Sequence, residues 1–174
     1  PNFQNIKNLI RFIFNNQLPK PGPNKQRTNA FSNPFIRKIW LTLAIVDLIY
    51  YYVFYLRFMK FINYNIICDR YIVDTQIDFI LNYPNDNFQN WFVWKLLIKL
   101  ALRPDYHFIL VISTLTSKNR SLKKNEPFPD SSNTLDKRLD KYINYSKLNR
   151  HCHLLSCEQS IIKVSDDINF ILNS

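Results

Sequence analysis

The chain has 174 residues, a length that fits one domain, and 47% of them are hydrophobic, enough for a sizeable core. A net charge of +10 points to an acidic partner such as RNA, nucleotide or anionic lipid, or simply to lysine supplied by base-composition bias. Three cysteines, Cys68, Cys152 and Cys157, exclude a disulfide framework and fit a reducing compartment, and the one glycine, Gly22, excludes a glycine-rich phosphate loop.

Asn, Ile, Lys, Phe and Tyr are used heavily, as in translation from an AT-rich genome such as an organellar one. A mitochondrial, matrix-side location is the expectation, with the cytoplasm as alternative. The sequence starts at Pro1, as a processed, trimmed or fragmentary chain would, and shows no secretory signal.

In chain order, Phe3, Ile6, Ile10, Ile13 and Phe14 form one apolar stripe and predict a helix over 3–14. Residues 18–34 hold four prolines and the glycine, with Lys20, Lys25 and Arg27, and predict a basic loop. Residues 35–62 predict a long apolar helix whose central run, 39–58, approaches the length of a membrane span. Asp47 interrupts its middle and Arg57 its end. A charge at a bilayer centre costs roughly 3 kcal/mol or more, so the expectation is a buried core helix rather than a span.

Residues 64–68 form a short apolar run without a breaker, which predicts a buried strand. Asp69 and Arg70 follow at once, and then Ile72, Ile77, Ile80 and Leu81 recur at helical spacing to about residue 82. Asp69 and Arg70 are thereby expected where a strand ends and a helix begins. In a parallel sheet that edge binds ligands: a carboxylate can hold magnesium or a water, and an arginine can fork onto phosphate. Residues 83–86, Tyr-Pro-Asn-Asp, read as a turn. A second helix over 88–102 turns Trp91, Trp94, Leu97, Ile98 and Ala101 inward and Lys95 and Lys99 outward, and Pro104 stops it. Residues 106–113 read as a buried parallel strand.

Residues 117–129 form a basic segment in which Arg120, Lys123 and Lys124 could clamp phosphates or an RNA backbone, or stay solvated. An amphipathic helix over 135–148 has Leu135, Leu139, Tyr142 and Ile143 facing in and Arg138 and Lys141 facing out. Residues 153–156 make a last short strand. A terminal helix over 158–172 packs through Ile161, Ile162, Val164, Ile168 and Ile171. His151, Cys152, His153 and Cys157 invite a zinc reading, but on a strand Cys152 points away from both histidines and a structural site wants four converging ligands. No metal is expected.

Cys-Asp-Arg-Tyr at 68–71, followed by Asp74, Thr75 and Asp78, resembles the Asp-Arg-Tyr motif of the thymidylate kinase-like P-loop kinase family. Pro104-Asp105 before the apolar run resembles that family's next core strand, residues 120–129 its basic lid, and 135–142 its Leu-x-x-Arg-x-x-x-Tyr helix. The likeness covers about residues 35–172. It implies an α/β fold, a three-layer parallel sheet flanked by helices, incomplete at the N-terminus, in one domain over 1–174 (helix 1–17, basic loop 18–34, core 35–174). The helix over 3–14 would then either follow the family's phosphate loop or dock on a neighbour.

Two departures from the family bear on function. No Gly-x-x-x-x-Gly-Lys-[Ser/Thr] occurs, so nothing here can cradle phosphates as a P-loop does, and the chain alone is not expected to transfer phosphoryl groups. Where some thymidylate kinases carry Asp-Arg on the long helix, this chain has Asp47-Leu48. The leading expectation is a non-catalytic, kinase-like structural subunit of a large organellar assembly, a mitochondrial ribosome or respiratory complex. It would contact other protein subunits, and rRNA if the basic residues reach it, and need no cofactor. The alternative is the C-terminal part of a nucleoside-monophosphate kinase whose P-loop lies on other residues or another chain. ATP and magnesium would then be required, with Asp69 organising the metal or a water, Arg70 on substrate phosphate and Arg120 on the transferred group.

Overall fold

The computed structural model describes residues 31–127, 129–149 and 151–173. The helix expected over 3–14 and most of the loop over 18–34 lie outside them. The chain divides into two compact units, Pro1–Ile72 with Pro84–Arg103, and Val73–Tyr83 with Pro104–Ser174.

The first unit is built on helix α1, Pro34–Phe61. Asn33 starts it: its side-chain oxygen accepts from the Phe35 N–H at 2.9 Å, and Pro34 at the first position loses no hydrogen bond. No glycine or proline follows before its end, where Ile62 leaves the helical region and Asn63 adopts φ 62°, a conformation that Asn tolerates. Within α1, Tyr50–Tyr55 winds as a π-helix, with the Leu56 N–H bonding back to the Tyr51 carbonyl. A 3₁₀ turn, Phe88–Asn90, leads to helix α3, Phe92–Leu100, and α1 packs on α3. Leu41, Ile45, Leu48, Tyr52, Val53 and Leu56 of α1 are buried, as are Phe88, Trp94 and Leu97. Removing one such side chain from water contributes about 1.5–3 kcal/mol. Phe88 and Trp94 meet edge to face at 4.9 Å. Arg37 pairs with the buried Asp86 and donates to the Phe31 carbonyl at 2.9 Å. Arg57 donates to the Leu100 carbonyl at 2.7 Å.

The long helix expected over 35–62 therefore forms, but the expectation of a core helix holds for one face only. Of its most apolar stretch 33% is buried. Lys95 and Lys99 of α3 are exposed as expected, whereas Ile98, assigned inward, is exposed too.

The second unit contains the main part of helix α2, Ile72–Asn82, then strand β1, His107–Val111, helix α4, Thr114–Lys123, helix α5, Ser132–Leu148, strand β2, Cys152–Ser156, and helix α6, Ile161–Leu172. Three serines set the helix starts. Ser113, Ser131 and Ser160 each accept from the backbone N–H three residues on. β1 and β2 pair in parallel, with His107 opposite Cys152 and Val111 opposite Ser156, and α5 packs on both strands.

The three-layer parallel sheet is corrected by this arrangement. The described residues are mostly helical and hold one two-stranded sheet. Residues 64–68 are the element that fails. They join no ladder, Tyr64 is 59% and Ile67 97% exposed, and the segment lies between left-handed residues, Asn63 and Arg70. An apolar run becomes a strand only when a neighbour takes up its backbone groups, and no described strand does so. Residues 117–123, expected as part of a lid-like segment, belong instead to α4. In α6, Ile161 (88% exposed) and Ile162 (74%) do not pack as expected.

Candidate functional site

Asp69 and Arg70 belong to the first unit, and Arg120, Lys123 and Lys124 to the second. With no strand before them, Asp69 and Arg70 sit on an exposed bend rather than at a sheet edge, and Arg70 has φ 66°. Neither makes an ion pair or side-chain hydrogen bond among the described residues. The neighbouring Tyr71 is fixed: its hydroxyl donates to the Leu102 carbonyl and its ring meets Tyr52 edge to face at 4.7 Å. Burial, then the proximity of Cys68 and Tyr52, pushes its phenol up to about 12.

In the second unit, the C-terminal ends of the two parallel strands converge on the start of α4. The Ser113 N–H donates to Glu158 Oε1 at 2.6 Å, and the Thr116 hydroxyl to Glu158 Oε2 at 2.8 Å. These bonds hold the Glu158 carboxyl below the usual range. A helix N-terminus favours negative charge, and here the chain's own carboxylate supplies it. Thr114 donates to Asp136, so α4 is also tied to α5 at this end. At the other end of α4, Arg120 donates to the Cys157 carbonyl at 2.9 Å, Lys123 is the last helical residue and Lys124 the C-cap, and all three are exposed. Cations at a helix C-terminus complement its dipole, so their spacing has a structural use as well as the phosphate or RNA contact expected of them.

Of the residues singled out in the sequence, Asp74, Asp78, Arg138 and Tyr142 are brought together between α2 and α5. Tyr142 donates to Asp74 at 2.5 Å, and Arg138 pairs with Asp78 and, at 3.2 Å, with Asp130. Asp74 and Asp78 are one helical turn apart, as are Arg138 and Tyr142, so the pairs form two rungs. Burial raises the Tyr142 phenol, and the bond to Asp74 raises it further. Burial opposes charge on Arg138, but Asp78 and then Asp130 more than offset it, and its pKa is raised. The outward placement expected for Arg138 is corrected: its side chain is 23% exposed and turned to α2. The matched four-residue spacing of the acids and of their partners was the signal for it. Beside them His107 lies 5.8 Å from the Tyr145 ring. Its pKa is lowered by burial, which Asp74 partly counters.

Among the described residues no group of three or more His, Cys, Asp or Glu converges as a metal site would. The charge of the chain is unevenly divided. By sequence, the first unit carries thirteen basic and three acidic side chains, and the second ten of each. No family model, curated protein or solved structure matches the chain, so its function is read from these features alone.

Proposed function

We propose that this chain is a non-catalytic structural subunit of a large organellar assembly, a mitochondrial ribosome or respiratory complex. The observation that carries the reading is the use made of the motif residues in the second unit. Asp74, Asp78, Arg138 and Tyr142 hold two helices together, and Arg120 holds the end of β2. Side chains engaged in this way serve architecture, and a subunit that contributes shape to an assembly needs that more than turnover. The basic first unit fits an anionic neighbour within such an assembly. Native purification of the tagged chain from organelles, followed by mass spectrometry of the intact particle, tests the reading. Co-migration with ribosomal or respiratory subunits is expected, and a free chain carrying nucleotide would overturn it.

One observation favours a second reading. Asp69 and Arg70 remain exposed and unpaired among the described residues, as a pair kept for a ligand would be. In that reading the chain is part of a nucleoside-monophosphate kinase whose phosphate loop is supplied elsewhere. Nucleotide-dependent protection of residues 69–71 from hydrogen exchange would support it.

A further inference from the structure

Helix α1 leaves one face uncovered, and that face has a regular composition. Val46, Tyr50, Phe54, Phe58 and Ile62 follow one another every fourth residue, and all five are exposed, Tyr50, Phe54 and Phe58 by 68%, 63% and 59%. In an α-helix of 3.6 residues per turn, a four-residue repeat drifts around the axis and would carry such a stripe onto the opposite face within a few turns. The π-helical stretch Tyr50–Tyr55 has more residues per turn and takes up part of that drift. The stripe therefore stays on the side away from Leu41, Ile45, Leu48 and Leu56, which are buried in the unit's own core.

The same unit carries the whole excess of positive charge. Among its described residues are eight basic and three acidic side chains, and residues 1–30 add five basic and no acidic ones. Arg57 and Lys60 are exposed on α1, and Lys95 and Lys99 are exposed on α3. An exposed aromatic stripe on a strongly basic unit is what an interfacial helix presents to an anionic membrane. RNA would answer the charge but not a stripe that also holds Val46 and Ile62, which offer no stacking surface. A protein groove would answer the apolar stripe but has no need of the charge excess.

We infer that the first unit docks on an anionic lipid bilayer, with the Val46–Tyr50–Phe54–Phe58–Ile62 stripe of α1 lying in the interface and the net positive charge of the unit drawing it to the headgroups. The helix lies on the membrane rather than across it, because its opposite face is occupied by α3 and Asp47 sits near its middle. This inference does not depend on the assembly role, and each has its own test.

The test is sedimentation of the purified full chain with vesicles of phosphatidylcholine, with and without about a third phosphatidylserine, at low and high salt. Binding to the anionic vesicles, weakened by salt, is expected. The triple variant Tyr50→Ser, Phe54→Ser, Phe58→Ser should bind at least roughly tenfold more weakly. All three positions are exposed, and an unchanged circular-dichroism melt would show that the variant folds. In a Phe54→Trp variant, the fluorescence should shift to the blue and be quenched by brominated lipid. Equal sedimentation with neutral and anionic vesicles, binding that the triple variant leaves intact, or RNA binding in its place would overturn the inference.

Discussion

The two units of this chain solve the problem of charge in opposite ways. The second carries ten basic and ten acidic side chains and pairs several of them internally: Arg138 with Asp78 and Asp130, and Glu158 with Ser113 and Thr116. The first has thirteen basic side chains to three acidic ones, and of those three Asp86 is buried against Arg37. Among the described residues it also holds the largest fully buried side chains, Leu41, Ile45, Phe88 and Leu97, and at the same time the exposed apolar stripe of α1. A region that is neutral and internally paired leaves little charge for a neighbour, although Ile161, Ile162 and Phe170 of α6 remain exposed. A region that is basic outside, apolar on one face and well packed on the other leaves both its charge and its apolar surface to be satisfied by something else.

Substitutions can break or sharpen this contrast. The largest effect is expected from Trp94→Ala, which removes a buried ring from the first unit's core and should cost about 3–5 kcal/mol by chemical denaturation. Phe170→Ala, at a 77%-exposed position of α6, should stay within about 0.5 kcal/mol. Similar costs at both positions would remove the distinction between a packed and an open apolar surface. Next comes Asp86→Ala, which strands Arg37 and should cost about 2 kcal/mol.

In the second unit the expected effects are smaller, because its pairs are partly exposed. The Asp78 side chain is 34% and that of Asp130 43% exposed, so a double-mutant cycle of Asp78→Asn with Arg138→Gln should give a coupling of about 1 kcal/mol, reduced by salt. Tyr142→Phe should cost a similar amount without the salt dependence. A coupling near zero would mean that α2 and α5 are held by apolar packing alone.

His107 gives a pH signature. Its pKa is lowered in the folded chain, so the unfolded chain takes up the proton first. Its contribution is constant above the ordinary value of 6.5, declines as pH falls below it, and levels off below the lowered folded value. Denaturation midpoints measured from neutral pH to about pH 5 should fall less for His107→Gln than for the parent chain. The smallest effect should come from Arg120→Ala, under about 0.5 kcal/mol, since the bond to the Cys157 carbonyl lies in solvent.

The candidate site was only partly legible. Asp74, Asp78, Arg138 and Tyr142 stand out by their spacing, yet periodicity placed Arg138 outward because it counts only neighbours on one helix. Its actual partner lies sixty residues away in sequence. Asp69 and Arg70 were expected at a sheet edge, and that expectation failed with the strand before them.

What the sequence by itself determined is what local chemistry decides. The length of α1, the turn after α2, the two strands about 107–111 and 152–156 and the helix that follows the second of them come from capping residues, prolines and apolar spacing, whose effects reach only a turn or so along the chain. The net charge was equally plain. Only the tertiary structure decided which apolar runs find a partner: 107–111 and 152–156 pair, 64–68 does not, and one face of α1 is buried while the other is left open. Pairing and burial depend on contacts between residues far apart in sequence, and those contacts are worth their ordering entropy only where a complementary surface is already in place.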